Sequence, residues 1–298
     1  MSKIIAVFGS TGQQGGAVVR SLSRSGQFGI RAITRNANSD SAKSLANLKN
    51  VSVVEGDLDA SVEKVLKDCY GAFLVTDSRM TRAEAEVRQG ITFCDAAIKN
   101  NLKHIIFSGL EACEPIIKRP AVHFDYKTKV EDYALKLKDK IIFTSVRMPC
   151  YYESIKMFLK KNDDGSYVLN MPMENKKMFS ICIEDCGDCV TSIFQNPEQF
   201  KSRLVGLSAE NLTQTEYLDI INKHLAPIKV KDSQLTLKQY LELNKYPGAQ
   251  DHVDMFEFYQ SQKMERDIAL TKSLNKNLLS FDNWMKNNTV FFLAPKQK

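Results

Sequence analysis

The first turn narrows the folds open to this chain more than any other stretch. Residues Lys3 to Phe8 form an apolar run that ends at Gly9, and Gly9, Gly12 and Gly15 follow in GxxGxxG spacing. From Gln14 to Ser25 the pattern turns helical, with Val18, Val19 and Leu22 on one side. A strand that passes through a glycine turn into a helix is the opening unit of a dinucleotide-binding α/β layer. Gly9 permits the tight turn, Gly12 lets the backbone approach a pyrophosphate, and Gly15 or Gly16 lets helix and sheet pack closely. The helix start then offers unpaired N–H groups and a partial positive charge to an anion.

The alternation continues: Ile30 to Thr34, Val51 to Glu55, Ala72 to Thr76, His104 to Ser108 and Ile141 to Arg147 read as strands. Helical stretches near Asp40 to Leu48, Val62 to Lys67, Arg82 to Asn100 and Val122 to Leu137 separate them. Six strands joined by helices imply a doubly wound parallel sheet of Rossmann type, because parallel neighbours need crossover connections. After Pro149 the elements shorten: a helix at Ser154 to Lys160, strands at Tyr167 to Asn170 and Phe179 to Ile183, and a helix from Glu184 to Phe194. Further candidates are Leu204 to Ser208 and Ile228 to Val230 as strands, with helices at Gln214 to His224, Leu237 to Leu243 and His252 to Gln262. The expected division is a nucleotide-binding domain over 1–150 and a smaller α/β lobe over 151–298 that closes a cleft at the carboxyl edge of the sheet.

Charge and composition exclude several partners. Forty-one Lys plus Arg against 35 Asp plus Glu leave a formal +6 in 298 residues, scattered too thinly to announce nucleic acid but suited to a small anionic ligand. No stretch of about 18 apolar residues is present and Ile4 to Phe8 is too short for a secretory signal, so neither membrane nor secretion is expected. Seven cysteines, an odd number set mostly in apolar contexts, fit reduced intracellular thiols.

Cofactor choice is argued at the end of the second strand. Where an NAD protein places a carboxylate, this chain reads Thr34-Arg35-Asn36-Ala37-Asn38-Ser39. Arg35 can pair with a 2′-phosphate, with Asn36, Asn38 and Ser39 donating nearby, which favours NADP(H). After the third strand, Asp57 can accept the adenine amino group and Leu58 can cover the ring; Asp57 can equally start the next helix.

The segments FGSTGQQGG, ITRN, EGD, EAEVRQG, HFDYKTKVEDY, SVRMPCYYES, YPGAQDHVDMFEFY and RDIALTKSLN run collinearly through most of the chain and resemble the NmrA-like family, an atypical branch of the short-chain dehydrogenases. The last two segments resemble the animal branch of NADPH-sensing regulators. The resemblance implies an NADP(H)-binding protein of regulatory role in the cytoplasm and the nucleus, with protein partners of unknown identity and a homodimer left open. It places Gly9, Ser10, Thr11, Gly12, Gln13 and Gln14 at the pyrophosphate, with Arg35, Asn36, Ala37, Asn38 and Ser39 at the 2′-phosphate. Asp57 and Leu58 would lie by the adenine, and Thr76, Asp77, Ser78 and Arg88 along the cofactor. Lys127, Cys150, Tyr151, Tyr152 and Glu153 would lie near the nicotinamide ribose and ring. Two positions depart from the family: Ser78-Arg79 stands where many relatives carry aromatics, and Ser154 where they often carry Asn.

The catalytic question turns on one helix position. Short-chain dehydrogenases pair a Tyr with a Lys four residues later, one helical turn away. Four residues before Lys127 stands His123, and Tyr126 projects about 100° around the helix from the lysine. No catalytic residue is therefore assigned, and a sensor is expected before a carbonyl or quinone reductase that would use His123, Ser108 and Lys127. A scaffold with a structural nucleotide is a third reading. Cys186-Gly187-Asp188-Cys189 has the CxxC spacing of a redox or metal pair, but no His or Cys stands at zinc-finger distance from it. His104, His224 and His252 suggest no metal site.

Overall fold

The structure, a computed structural model, describes residues 3–77 and 83–294. The first half supplies β1 (Ile4–Val7), α1 (Gln13–Ser25), β2 (Gly29–Thr34), α2 (Asp40–Ala46), β3 (Val51–Glu55), α3 (Val62–Leu66), β4 (Gly71–Leu74) and α4 (Ala83–Lys99). β5 (His104–Gly109), α5 (Glu114–Ile117), α6 (Val122–Leu135) and β6 (Ile142–Arg147) follow. The second half contains β7 (Cys150–Tyr151), α7 (Tyr152–Ile155), β8 (Leu159–Lys161), β9 (Tyr167–Leu169), β10 (Met178–Ile181), α8 (Ile183–Gln195), β11 (Arg203–Gly206) and β12 (Glu210–Leu212). It ends with α9 (Gln214–Leu225), β13 (Val230–Asp232), α10 (Leu237–Leu243), α11 (Ala249–Gln260), α12 (Ile268–Leu274) and α13 (Phe281–Leu293).

Seven strands form one parallel sheet in the order β11-β6-β5-β4-β1-β2-β3. Strand order reverses between β1 and β4, and a doubly wound sheet opens a crevice outside the carboxyl ends of its strands at such a point. Side-chain alternation builds a core on each face: Ile5 and Val7 point to one, Ala6 and Phe8 to the other. β4 and β5 are buried along their whole length, as central strands of a parallel sheet covered on both faces are. Buried His104 bridges to Thr144 Oγ1 at 3.0 Å, and burial pushes its pKa down to about 3, so it stays neutral as a structural residue.

Two short three-stranded sheets, β12-β10-β7 and β13-β9-β8, carry the later part of the chain. Elements from beyond residue 150 pack back onto the first half. β11 pairs in parallel with β6, Arg203 opposite Thr144, and becomes the seventh strand of the main sheet. α8 lies on α1 so closely that a Cβ on Gly187 would stand 2.4 Å from the carbonyl oxygen of Ala17. The helix expected over Ser154 to Lys160 is instead the short α7, a 3₁₀ turn and β8, because Leu159 pairs with Leu169 across an antiparallel ladder. α12 and α13 extend beyond the expected elements, and Phe281 and Trp284 of α13 close over Tyr152 with ring centroids 5.1 and 5.8 Å away.

Candidate functional site

A cleft of about 660 Å³ opens at the reversal point and is walled by the residues that follow β1, β2, β3 and β4. Its floor is the glycine turn. Gly9 sits at φ +63°, where a side chain would be strained and its Cβ would lie 2.6 Å from Val75 Cγ1. Gly12 donates to Gly9 O at 2.9 Å and caps α1 with no side chain of its own, leaving the first N–H groups of the helix facing the cleft. Gly15 sets how near α1 comes to β1, since a Cβ there would meet Gly9 O at 2.3 Å. Gly9, Thr11, Gly12, Gln13, Gln14 and Gly15 all line the cleft. Ser10 does not: it is buried and its hydroxyl donates to Ile33 O at 2.7 Å, fastening the turn to β2.

Beyond β2 the wall is Thr34, Arg35, Asn36 and Ser39. Ser39 caps α2 by accepting from Ala42 N, and Asn36 Oδ1 accepts from Asn38 N at 2.9 Å, so the loop is held in shape by its own side chains. Ala37 and Asn38 belong to that loop but stand off the cleft wall, Ala37 N reaching toward Glu55 at 3.5 Å. Arg35 is exposed, and it is the arginine among the described residues with no hydrogen-bond, ion-pair or ring partner.

Asp57 serves both roles weighed for it. It lines the cleft with Leu58, while its Oδ1 accepts from the N–H groups of Ala60 at 2.7 Å, Asp59 at 3.0 Å and Ser61 at 3.3 Å ahead of α3. Those N–H groups, Ala60 foremost, hold its pKa below the usual carboxylate value. Thr76 and Asp77 form the wall after β4, and Gln89 of α4 reaches it while donating to Asp59 at 2.7 Å. Ser78 lies outside the described residues. Arg88 stays on the surface, 3.5 Å from Asp59, and does not line the cleft.

The residues expected near a nicotinamide are not all brought together. Tyr151 lines the cleft. Cys150 is half-buried off the wall, and desolvation pushes its thiol up to about 12. Tyr152 turns into the core of the second half, its hydroxyl donating to Leu279 O at 3.1 Å and Glu210 at 3.2 Å. Glu153 accepts from Ile183 N at 3.3 Å and so caps α8. Lys127 is buried one residue behind the wall, where its ammonium donates to Glu86 Oε1 at 2.8 Å and Thr76 Oγ1 at 3.0 Å.

His123 is turned away from the cleft, with Nδ1 bonded to Asp251 of α11. Tyr126 lies under Lys129, whose ammonium is 4.1 Å from the ring centroid. Ser108 donates to Gln14 at 2.6 Å, steadying a side chain of the phosphate turn. No phenol is thus poised one turn from Lys127. The CxxC spacing also has a packing explanation: Gly187 admits α1, Asp188 accepts from Ser21 at 2.6 Å and Arg24 at 2.7 Å, and burial raises both thiols. Among the described residues no group of three or more His, Cys, Asp or Glu could hold a metal, and no helix is long and apolar enough to cross a membrane.

Sequence reading missed Phe8, Ile33, Thr34, Gly56, Asp59, Val75 and Gln89 as wall residues. Most follow or end a strand, and the rule that ligands sit at carboxyl ends would have found them. Gln89 carries no such signal, since only the tertiary fold brings α4 to the cleft.

The model of the NmrA-like family matches residues 1–286. An NmrA-like family domain-containing protein of Dictyostelium discoideum is 31% identical over 75% of this chain and 78% of its own length. The NmrA-like family domain-containing oxidoreductase FrzB of a Cladobotryum species is 30% identical over 69% and 68%. Two solved structures share the fold. NmrA, a negative transcriptional regulator solved with NADP, superposes with a TM-score of 0.80 at 18% identity, covering 96% of this chain and 95% of its own. An NADPH-dependent quinone oxidoreductase of Escherichia coli, solved with NADPH, gives 0.78 at 19% identity over 96% and 99%.

Proposed function

The chain belongs to the NmrA-like family, and from that membership we propose that it is an NADP(H)-binding regulator whose cofactor occupancy is read out as a change of conformation or of association with protein partners. The single observation that carries the cofactor assignment is the unpaired Arg35 guanidinium on the cleft wall, beside Asn36 and Ser39 and across from the α1 start. A free planar cation at the end of β2 suits a 2′-phosphate, whereas an NAD site sets a carboxylate there. The glycine turn fits the rest of the nucleotide. Gly12 leaves the first N–H groups of α1 open to a pyrophosphate, and Asp57 keeps its Oδ2 for an adenine amino group while Oδ1 is held by its own turn.

When bound, NADPH supplies a hydride. Reduction of a carbonyl also needs a proton donor at the reacting oxygen, and the phenol on the cleft wall, Tyr151, is not carried one helical turn from Lys127 and is made a poor proton donor by burial, which raises its pKa well above the ordinary value. His123 is engaged with Asp251 and Lys127 with Glu86. That arrangement supports the regulatory reading over the reductase one, although fungal relatives carry the name oxidoreductase. The segments YPGAQDHVDMFEFY and RDIALTKSLN support the finer placement among NADPH sensors, and we propose cytoplasm and nucleus as the compartments. Regulation by occupancy requires that NADPH bind one state better than another.

Titration of the purified protein with NADPH, NADP⁺, NADH and NAD⁺, with affinity and oligomeric state followed together, tests the proposal. The expected result is a preference for the phosphorylated pair and a change in size or protease susceptibility on binding. NADPH-dependent turnover of quinones, aldehydes or ketones that disappears in His123→Ala would overturn the regulatory reading in favour of the reductase. Binding that changes neither size nor protease susceptibility would leave a structural nucleotide.

A further inference from the structure

Behind the cleft wall, three elements meet in one buried contact. Thr76 follows β4, Glu86 belongs to α4 and Lys127 to α6. Glu86 is 1% exposed, and a single oxygen, Oε1, accepts both the Thr76 hydroxyl at 2.6 Å and the Lys127 ammonium at 2.8 Å. Its other oxygen, Oε2, is buried without a hydrogen-bond partner among the described residues. Lys127 donates further to Thr76 Oγ1 at 3.0 Å and, at a long 3.4 Å, to Thr76 O. The carboxylate is thus crowded on one side and orphaned on the other, and one ammonium N–H is poorly used. Removing either charge of a buried pair strands its partner, so the ammonium cannot leave Glu86 without a replacement acceptor. Thr76, which both charges touch, is itself a wall of the cleft. A ligand oxygen that arrives beside Thr76 is such an acceptor.

We propose that Glu86 is a positioning residue that holds the Lys127 ammonium back from the cleft, so that the half of a dinucleotide lying beyond the pyrophosphate binds by competing with Glu86 for Lys127. The proposal rests on the reading of the cleft as a dinucleotide site and adds to it a restraint that sets how much the nicotinamide half contributes to affinity. Replacing the carboxylate with a carboxamide of the same shape removes the charge that retains the ammonium, and a charge-assisted hydrogen bond then becomes available to the ligand.

The test compares two probes, NADPH and adenosine 2′,5′-bisphosphate, which lacks the nicotinamide half. Each is titrated into wild type, Glu86→Gln, Lys127→Met and the double variant, with affinities counted per binding-competent protein. Glu86→Gln is expected to tighten NADPH about tenfold, the scale of one charged hydrogen bond, and to leave the bisphosphate unchanged. In the Lys127→Met background the same substitution is expected to do nothing, because the restrained group is gone. Glu86→Asp, which keeps the charge but shortens its reach toward the ammonium, should shift NADPH in the same direction, and it decides the matter should Glu86→Gln fail to fold. An equal shift for both probes, a weakened NADPH affinity, or an effect that persists without Lys127 would overturn the proposal. Wild type that binds neither probe would overturn the dinucleotide reading itself, a different result from a bisphosphate that binds while the NADPH ratio stays fixed.

Discussion

Arg35→Ala isolates the 2′-phosphate from everything else in the cleft. Because Arg35 is exposed and makes no hydrogen bond, ion pair or ring contact among the described residues, its removal strands no buried group and leaves the turn of Asn36 to Ser39 intact. Surface substitutions of that kind change stability by about 0.5 kcal/mol or less, so the melting temperature should hold. The loss in binding is of another size. A hydrogen bond to a charged group contributes about 1.5–3 kcal/mol, which weakens NADPH roughly tenfold to a hundredfold. NADH has no 2′-phosphate and should be almost unaffected. Intrinsic cofactor fluorescence, titrated at two salt concentrations, measures both affinities, and the difference between variant and wild type should shrink at high salt as the exposed charge is screened. Equal affinity of wild type for NADPH and NADH would refute the assignment, as would an Arg35→Ala variant that loses both cofactors in equal measure.

Gly12→Val should abolish binding of all four dinucleotides with the fold retained, since its Cβ lies 3.2 Å from Gly9 O and its bulk fills the phosphate approach; unchanged affinity by titration would show a purely structural turn. Gly15→Ala should instead destabilise the fold, by about 1–3 kcal/mol in denaturant unfolding, because its Cβ would meet backbone at 2.3 Å. His123→Tyr sets a phenol one turn from Lys127 but on the face that meets Asp251, so NADPH oxidation in a spectrophotometric assay should stay at a negligible wild-type rate; a rise in the variant would show that position 123 reaches the cleft. Asp185, whose carboxyl burial pushes up from 3.8 to about 6, holds in the folded chain a proton that the unfolded chain releases. Its contribution to stability should therefore fall as pH rises from 3.8 through about 6, and the slope of denaturation midpoint against pH should flatten in Asp185→Asn.

What could be read from the sequence follows how local the governing constraint is. The strand, glycine turn and helix from Ile4 to Ser25 were legible because Gly12 and Gly15 answer to the backbone of Gly9 a few residues away, and Gly9 to its own positive φ. Arg35 was legible for the same reason, standing at the end of β2 where chemistry distinguishes two cofactors. The burial of Lys127 was not legible, because helical spacing ties it to His123 but says nothing of Glu86, which only the packing of α4 on α6 brings to it. Tyr152 and Glu153 follow Tyr151 directly, yet the chain turns into α7 there and carries their side chains to Leu279 and Ile183. The CxxC spacing was likewise ambiguous until α1 was seen against Gly187. β11 could be recognised as a strand, but not as a member of the main sheet, since its partners in β6 lie some sixty residues earlier.

That late strand bears on how the chain is made. While a ribosome has released only the segment through β6, the sheet ends in a bare strand edge whose N–H and C=O groups invite pairing with another chain. The face of α1 that α8 covers is exposed as well, and both are closed when residues 183–206 emerge. A nascent or truncated first half is therefore a sticky intermediate, and a chaperone that shields the β6 edge has its task set by the order of synthesis.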